Sequence, residues 1–356
     1  MYYKKLKALV DHHKLVIYTL LANPRTRSTA FYHAMKSMPD IDGGINEPFS
    51  THDRGGVHYD FNRAEEVRKI RTFEDVCKNI YSVVEEILKT KQVARVWLHD
   101  HFYEILNDEM HHLLTLSRNV IVCIRDPRLQ FLSFLIRVSN DKLATYRQSD
   151  LTREEVIRLF YKKEEGVSPE ALLAFVDNEK MLISKTQLMR TINAEDQSVE
   201  LATALMLSME TVLEYVQKEM DIMVKNTQFY LDLFKRYQEK SALNYAIVDA
   251  ERLVDETKSQ SVLQAATAQL DDLMFSENMI NNWSQEDKVS MCWILENTQT
   301  PLDNAWNGPA RTSTQFTTQH DVSGCLPLAV EQFPQAIQGV LRDALQLYHD
   351  CLTMSE

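Results

Sequence analysis

The sequence predicts an α/β fold: a central, mostly parallel sheet flanked by helices, with a large helical insertion. Two observations carry that expectation. Short apolar, β-rich runs alternate with segments of helical period. Leu15 to Ala22 and Val120 to Ile124 are apolar almost without interruption, as strands covered on both faces by helices are. Glycine and proline are sparse, at 8 and 9 of 356 residues, which argues against an all-β fold and against long disordered linkers.

The first strand, Leu15 to Ala22, breaks at Asn23-Pro24, and the chain restarts with Phe31, Ala34, Met35 and Met38 on one helical face. Arg25, Arg27, Ser28 and Thr29 stand in the turn between them. The opening turn of a helix leaves backbone N–H groups without partners, and its dipole favours negative charge. Arginines and hydroxyls at that point suit a phosphate or sulfate, since a planar guanidinium meets an oxyanion with two donors. The turn is not an ATP loop of the GxxxxGK[ST] form: no glycine and no lysine occur between Leu15 and Met35. Solvated arginines on an ordinary strand–turn–helix remain the alternative from this turn alone.

Next come a helical pattern with one break over Ala64 to Lys89, a strand from Val93 to His99, and a helix from Phe102 to Ser117. Asn119 to Arg137 then repeats the earlier theme. A strand runs from Val120 to Ile124, Asp126 suits a helix N-cap and Pro127 a first helical residue, and Leu129, Leu132, Leu135 and Ile136 line the helix. Arg125 thus stands at the carboxyl end of a strand, the edge where open α/β sheets bind ligands. Asn140 to Lys240 is long, charged and Met-rich with recurring helical spacing. Its helices read equally as a cap over the core, an addition to the helical layer, or a contact between copies. Asn244 to Asp249 is a further strand, followed by Glu251-Arg252-Leu253, a helix from about Thr257 to Leu273, and an amphipathic helix from Leu328 to Thr353.

Two motifs in this order resemble the sulfotransferases that use 3'-phosphoadenosine 5'-phosphosulfate as donor. Pro24, Arg25, Thr26, Ser28 and Thr29 match the P-[KR]-[ST]-x-[ST]-T-like loop that holds the 5'-phosphosulfate in that family. Arg125, Asp126, Pro127 and Ser133 match its R-[ND]-P motif and the serine eight residues after the arginine, which hold the 3'-phosphate. Asn46-Glu47-Pro48-Phe49 is similar to the E-P-F element of bacterial members. Many members have glycine where this chain has Arg27. The likeness covers Leu15 to Arg137, returns weakly near Asn244 to Glu251 and Ala305 to Phe316, and leaves the middle of the chain unmatched.

The resemblance implies a P-loop-like sulfotransferase fold. Residues 1–139 would form the half of the core with the donor-binding motifs, 140–240 the helical insertion or cap, and 241–356 the remainder of the core. It implies an enzyme moving a sulfuryl group from the phosphosulfate donor to an acceptor hydroxyl or amine by in-line transfer, with 3',5'-adenosine bisphosphate as product. Arg25, Thr26, Arg27, Ser28 and Thr29 would hold the 5' end, and Arg125 with Ser133 the 3'-phosphate. Arg311, in the polar segment after Trp306, would correspond to the basic residue of the family's late loop over the nucleotide. Such transfer needs positioning, positive charge on the leaving oxygens and a base for the acceptor proton. Arg25 would supply charge; His101, then His99 and Glu47, are the base candidates. A histidine's ordinary pKa of about 6.5 suits that work near neutrality. A carboxylate would need burial to match it. The sequence shows no metal cluster, and the sulfuryl group carries less charge than a phosphoryl, so no metal is expected.

The net charge of −12 sets nucleic acid and anionic membranes aside as partners. It leaves a small molecule or glycan as acceptor, with self-association through the helical insertion as a further option. The five cysteines are scattered without metal spacing, as in a reducing compartment, and Cys123 falls inside a strand. The first apolar run, about eight residues, is too short to span a bilayer, which points to a cytoplasmic protein. Two other classes stay open: a kinase-like P-loop phosphotransferase, which should need ATP, a lysine and a magnesium-binding carboxylate, and a non-catalytic nucleotide- or partner-binding protein. The acceptor is not legible.

Overall fold

Six strands pair side by side in the order β5-β4-β1-β3-β2-β6, and every pair is parallel. They are β1 (Leu15–Ala22), β2 (Gly43–Asn46), β3 (Ala94–His101), β4 (Ser117–Ile124), β5 (Asn244–Asp249) and β6 (Val289–Cys292). The helices are α1 (Tyr2–Asp11), α2 (Ser28–Lys36), α3 (Phe73–Leu88), α4 (Glu210–Glu239), α5 (Ala250–Leu253), α6 (Ser259–Ala268) and α7 (Gln335–Met354). This is a computed structural model, and it describes residues 1–24, 26–48, 72–101, 112–131, 210–239, 244–253, 258–270, 273–280, 283, 288–292, 329–333 and 335–354. The chain is an α/β protein with a parallel central sheet and flanking helices. No helix among the described residues is long and apolar enough to cross a membrane.

Alternation along the strands assigns their faces. Tyr18, Leu20 and Ala22 of β1, Trp97 of β3, Ile121 and Cys123 of β4, and Ala246 and Val248 of β5 meet Phe31, Tyr32, Ala34 and Met35 of α2 and Leu263 and Ala266 of α6 in one apolar core. The helical spacing of Phe31, Ala34 and Met35 is what puts them on that face. β2 comes close to α2 at Gly44, where a Cβ would overlap the Tyr32 hydroxyl and lie 2.8 Å from Lys36 Cδ. Lys288, just before β6, donates from Nζ to the carbonyls of Lys36 (2.9 Å) and Met38 and so closes the C-terminal end of α2. Helix α3 packs on β2, β3 and β6, and α1 packs on α3 and β1. A capping box starts α3: the Thr72 hydroxyl accepts from the Asp75 N–H at 3.2 Å, and the Asp75 carboxylate accepts from the Thr72 N–H at 3.0 Å.

The chain divides into two compact units. The first takes Met1–Arg125, Lys225–Thr317 and His349–Glu356 and contains the sheet. The second takes Asp126–Val224 and Thr318–Tyr348. In the second unit residues 127–131 are helical. As expected from Asp126-Pro127, the Asp126 carboxylate accepts from the Arg128 N–H (2.9 Å) and its carbonyl from the Gln130 N–H (2.9 Å). Phe131 and Phe333 meet edge to face with centroids 5.8 Å apart.

Several boundaries move from their expected places. β3 continues through His101 instead of ending at His99, and Ser117 opens β4 instead of closing a helix from Phe102. Helix α3 begins at Phe73, and the 64–71 part of its expected span lies outside the described residues. The helix expected over Thr257 to Leu273 runs Ser259–Ala268, and the final one Gln335–Met354.

Candidate functional site

The strand order places a switch point at the centre of the sheet. From β1 the chain leaves toward β2 and β3, and from β4 it goes on to β5, on the other side. Neighbouring parallel strands whose connections depart in opposite directions open a crevice at their carboxyl ends, where ligands of such sheets bind. Ala22 of β1 is level with His101 of β3 and with Cys123 of β4. The loop after β1 therefore has the end of β3 on one flank and the end of β4 on the other, each about 5 Å away across the sheet.

That loop is braced by its own polar groups. The Thr26 hydroxyl donates to the Asn23 carbonyl (2.7 Å), which closes the turn, and the Cys123 thiol donates to the Thr26 carbonyl (3.4 Å) from beneath. Asn23 donates to the Thr227 hydroxyl of α4 at 2.9 Å. Burial pushes the Cys123 thiol far above its ordinary range, so it remains a protonated donor. Arg27 is the N-cap of α2 and adopts a left-handed backbone, φ 62° and ψ 17°, with no side-chain cap bond to the helix. A glycine takes that conformation without steric cost, whereas a side chain such as that of Arg27 is held there at some expense. Ser28 is buried and Thr29 half-buried in the first turn of α2.

Arg27 and Arg125 converge on one carboxylate. Arg125, which follows β4, is 4% exposed, and its Nε donates to Glu251 Oε1. Arg27 Nη2 lies 3.8 Å from Glu251 Oε2. Glu251 is mounted just past β5, where its own N–H donates to the Asp249 carboxylate at 3.1 Å. A buried guanidinium requires such a counter-charge, because desolvation without one is prohibitive.

On the other flank lie the three base candidates. Glu47 follows β2, donates its N–H to the His99 carbonyl (2.7 Å) and takes a left-handed backbone, φ 52°. That bend brings Glu47 Oε1 within 3.4 Å of His101 Nε2, while His101 Nδ1 lies 3.3 Å from the Ala22 carbonyl. Both ring nitrogens thus face oxygen acceptors: with Nδ1–H directed at that carbonyl, Nε2 is the nitrogen left to take a proton, which the facing carboxylate would then accept in a hydrogen bond. His99 stands behind, level with Leu20 of β1 and wholly buried. Its Nδ1 pairs with the Asn46 side-chain oxygen, and its ring meets that of His101 at right angles, centroids 5.1 Å apart. Burial first, and the neighbouring His101 second, push the His99 pKa down to about 3. The ring is neutral in ordinary conditions and serves as a wall behind His101.

Arg25, Ser133, Arg311, Phe49 and Trp306 lie outside the described residues. Among the described residues, no group of three or more His, Cys, Asp and Glu side chains is arranged to hold a metal ion. Glu251 and Asn46 join the site although neither is among its sequence candidates: each figures there only within a short stretch, Glu251-Arg252-Leu253 and Asn46-Glu47-Pro48-Phe49. Glu251 is visible only as an acid just after a strand, and the partner that makes it matter is 126 positions away. Comparison with protein-family models, curated proteins and solved structures finds no match to this chain.

Proposed function

We propose that this chain is a sulfotransferase with a P-loop-like core, moving a sulfuryl group from 3'-phosphoadenosine 5'-phosphosulfate to an acceptor hydroxyl or amine. The observation that carries the reading is the pairing of two unlike groups on the two flanks of one strand tip. Beside β4, Arg27 and Arg125 supply positive charge; beside β3, His101 and Glu47 supply a proton acceptor. A phosphorylated donor fits the first by charge, and a nucleophile that must lose a proton needs the second.

The donor contributes an activated sulfuryl group and leaves as the bisphosphate. The protein's part is to hold and to move a proton. The loop at 23–29 and the N-terminal turn of α2 receive the 5' end, and Arg125 receives the 3'-phosphate. His101 Nε2 takes the acceptor's proton, and the Glu47 carboxylate stabilises the charge that the ring gains. The acceptor oxygen or nitrogen bonds to sulfur as the bond from sulfur to the leaving phosphate oxygen breaks.

Titration calorimetry separates this from its rivals. The account expects binding of 3',5'-adenosine bisphosphate without magnesium, and an Arg125→Ala variant that binds it at least tenfold more weakly. Preference for ATP with magnesium would instead identify a phosphotransferase. Transfer of label from the sulfate donor to a panel of hydroxyl and amine compounds then tests turnover, and binding without any transfer would mark a non-catalytic nucleotide-binding protein.

A further inference from the structure

We propose that Glu251 is the positioning residue of the anion site: its carboxylate yokes Arg125 to Arg27, so that the two guanidiniums meet a phosphorylated ligand as one fixed pair. This rests on the anion-binding part of the reading above and names a residue that reading does not need. The stereochemistry is that of a bridge. Each carboxylate oxygen serves a different arginine, Oε1 the Nε edge of Arg125 and Oε2 the Nη2 of Arg27. A carboxylate that merely neutralised one guanidinium would set both oxygens on its fork.

The mount of the bridge is rigid. Glu251 lies in α5, the helical turn directly off β5, its N–H is held by Asp249, and its neighbours Ala250 and Leu253 are fully buried. The two arginines come from other elements: one directly follows β4, and the other caps α2 in a backbone conformation that favours glycine. A side chain kept at a position that costs backbone energy has a use, and here it reaches the same acid as Arg125. The carboxylate offsets one of the two guanidinium charges of the trio.

Elementary electrostatics gives the opposite sign to a counter-ion that only competes with the ligand. Glu251→Gln removes a negative charge beside two arginines, and a mere competitor would thereby leave anions bound more tightly. The yoke requires weaker binding. The test titrates the full chain with 3',5'-adenosine bisphosphate and with inorganic pyrophosphate, in the wild type, Glu251→Gln and Glu251→Asp. The expected result is a loss of tenfold or more in affinity for both anions in the Gln variant. A smaller loss is expected with Asp, which keeps the charge on a shorter stem. Arg27→Gln should weaken binding in the wild type and change it little in the Gln background, which general loosening of the fold would not produce.

Tighter or unchanged binding in Glu251→Gln overturns the proposal, as does an Arg27→Gln effect of equal size in both backgrounds. If the wild type binds pyrophosphate and not the bisphosphate, the nucleotide reading fails while the yoke is still judged on pyrophosphate. If it binds neither, both fall. Should the Gln variant fail to fold, the wild type labelled with nitrogen-15 at arginine decides. The Nε signals of Arg27 and Arg125 should shift along one common pyrophosphate isotherm, and independent responses would overturn the proposal.

Discussion

In the proposed reaction His101 and Glu47 act as two halves of one proton-handling unit, and they are held by very different means. His101 closes a strand, so its backbone is fixed by pairing with β1, whereas Glu47 reaches it through a backbone bend at φ 52°. Replacing His101 by Asn removes the accepting nitrogen, and a loss of about 10²- to 10⁴-fold in turnover is expected in single-turnover kinetics with labelled donor. Glu47→Gln should cost less, because the ring can still accept. His99 has a different consequence, visible in stability. The unfolded chain takes up a proton at this histidine near pH 6.5, while the folded chain refuses it until about 3. Its contribution is therefore whole above about pH 6.5 and drains away as the pH falls toward 3. Between pH 7 and pH 5 that amounts to about 2 kcal/mol. Urea unfolding at the two pH values should show a drop smaller by about that amount in His99→Gln than in the wild type.

Elements were legible where the hydrophobic pattern alone decides them. β1 and β5 fall on their expected bounds because an apolar run ends abruptly, at Asn23-Pro24 in one and at Asp249 in the other. β4 begins earlier than its apolar run because polar side chains pair inside the sheet: the Thr19 and Ser117 hydroxyls lie 2.6 Å apart, both buried. No single-sequence pattern reports such a pair. β2 was missed because Gly43-Gly44 reads as a turn, yet Gly44 is there so that α2 can approach. Gly44→Ala would push a methyl group into the buried Tyr32 ring. The expected cost is roughly 1–3 kcal/mol, measured as a lower urea midpoint. The same change at Gly339, where a Cβ would meet nothing within 4 Å, should not weaken the fold. α1 was missed for another reason, since Leu6 is its one buried residue and Lys4, Lys5 and Lys7 interrupt its apolar pattern.

At the scale of the whole chain, a protein of net charge −12 sets two arginines, bridged by Glu251, at one strand edge. The motifs showed which strands end in arginine, and that part of the site was readable because loop and strand are contiguous. What joins the parts was not readable: Glu47 meets His101 across 54 positions and Glu251 meets Arg125 across 126, distances that only the parallel sheet closes. Strand order is the hidden variable, for it sets β1 between β3 and β4 and so brings the His101–Glu47 pair and the arginines to opposite sides of one loop. The most direct test is a crystal structure of the full chain with 3',5'-adenosine bisphosphate. The account predicts the 3'-phosphate against Arg125 and the 5'-phosphate over the loop at 23–29, on the side facing His101. A nucleotide seated away from that edge, or Arg25 and Arg125 opening onto surfaces too far apart for one molecule to bridge, would contradict it.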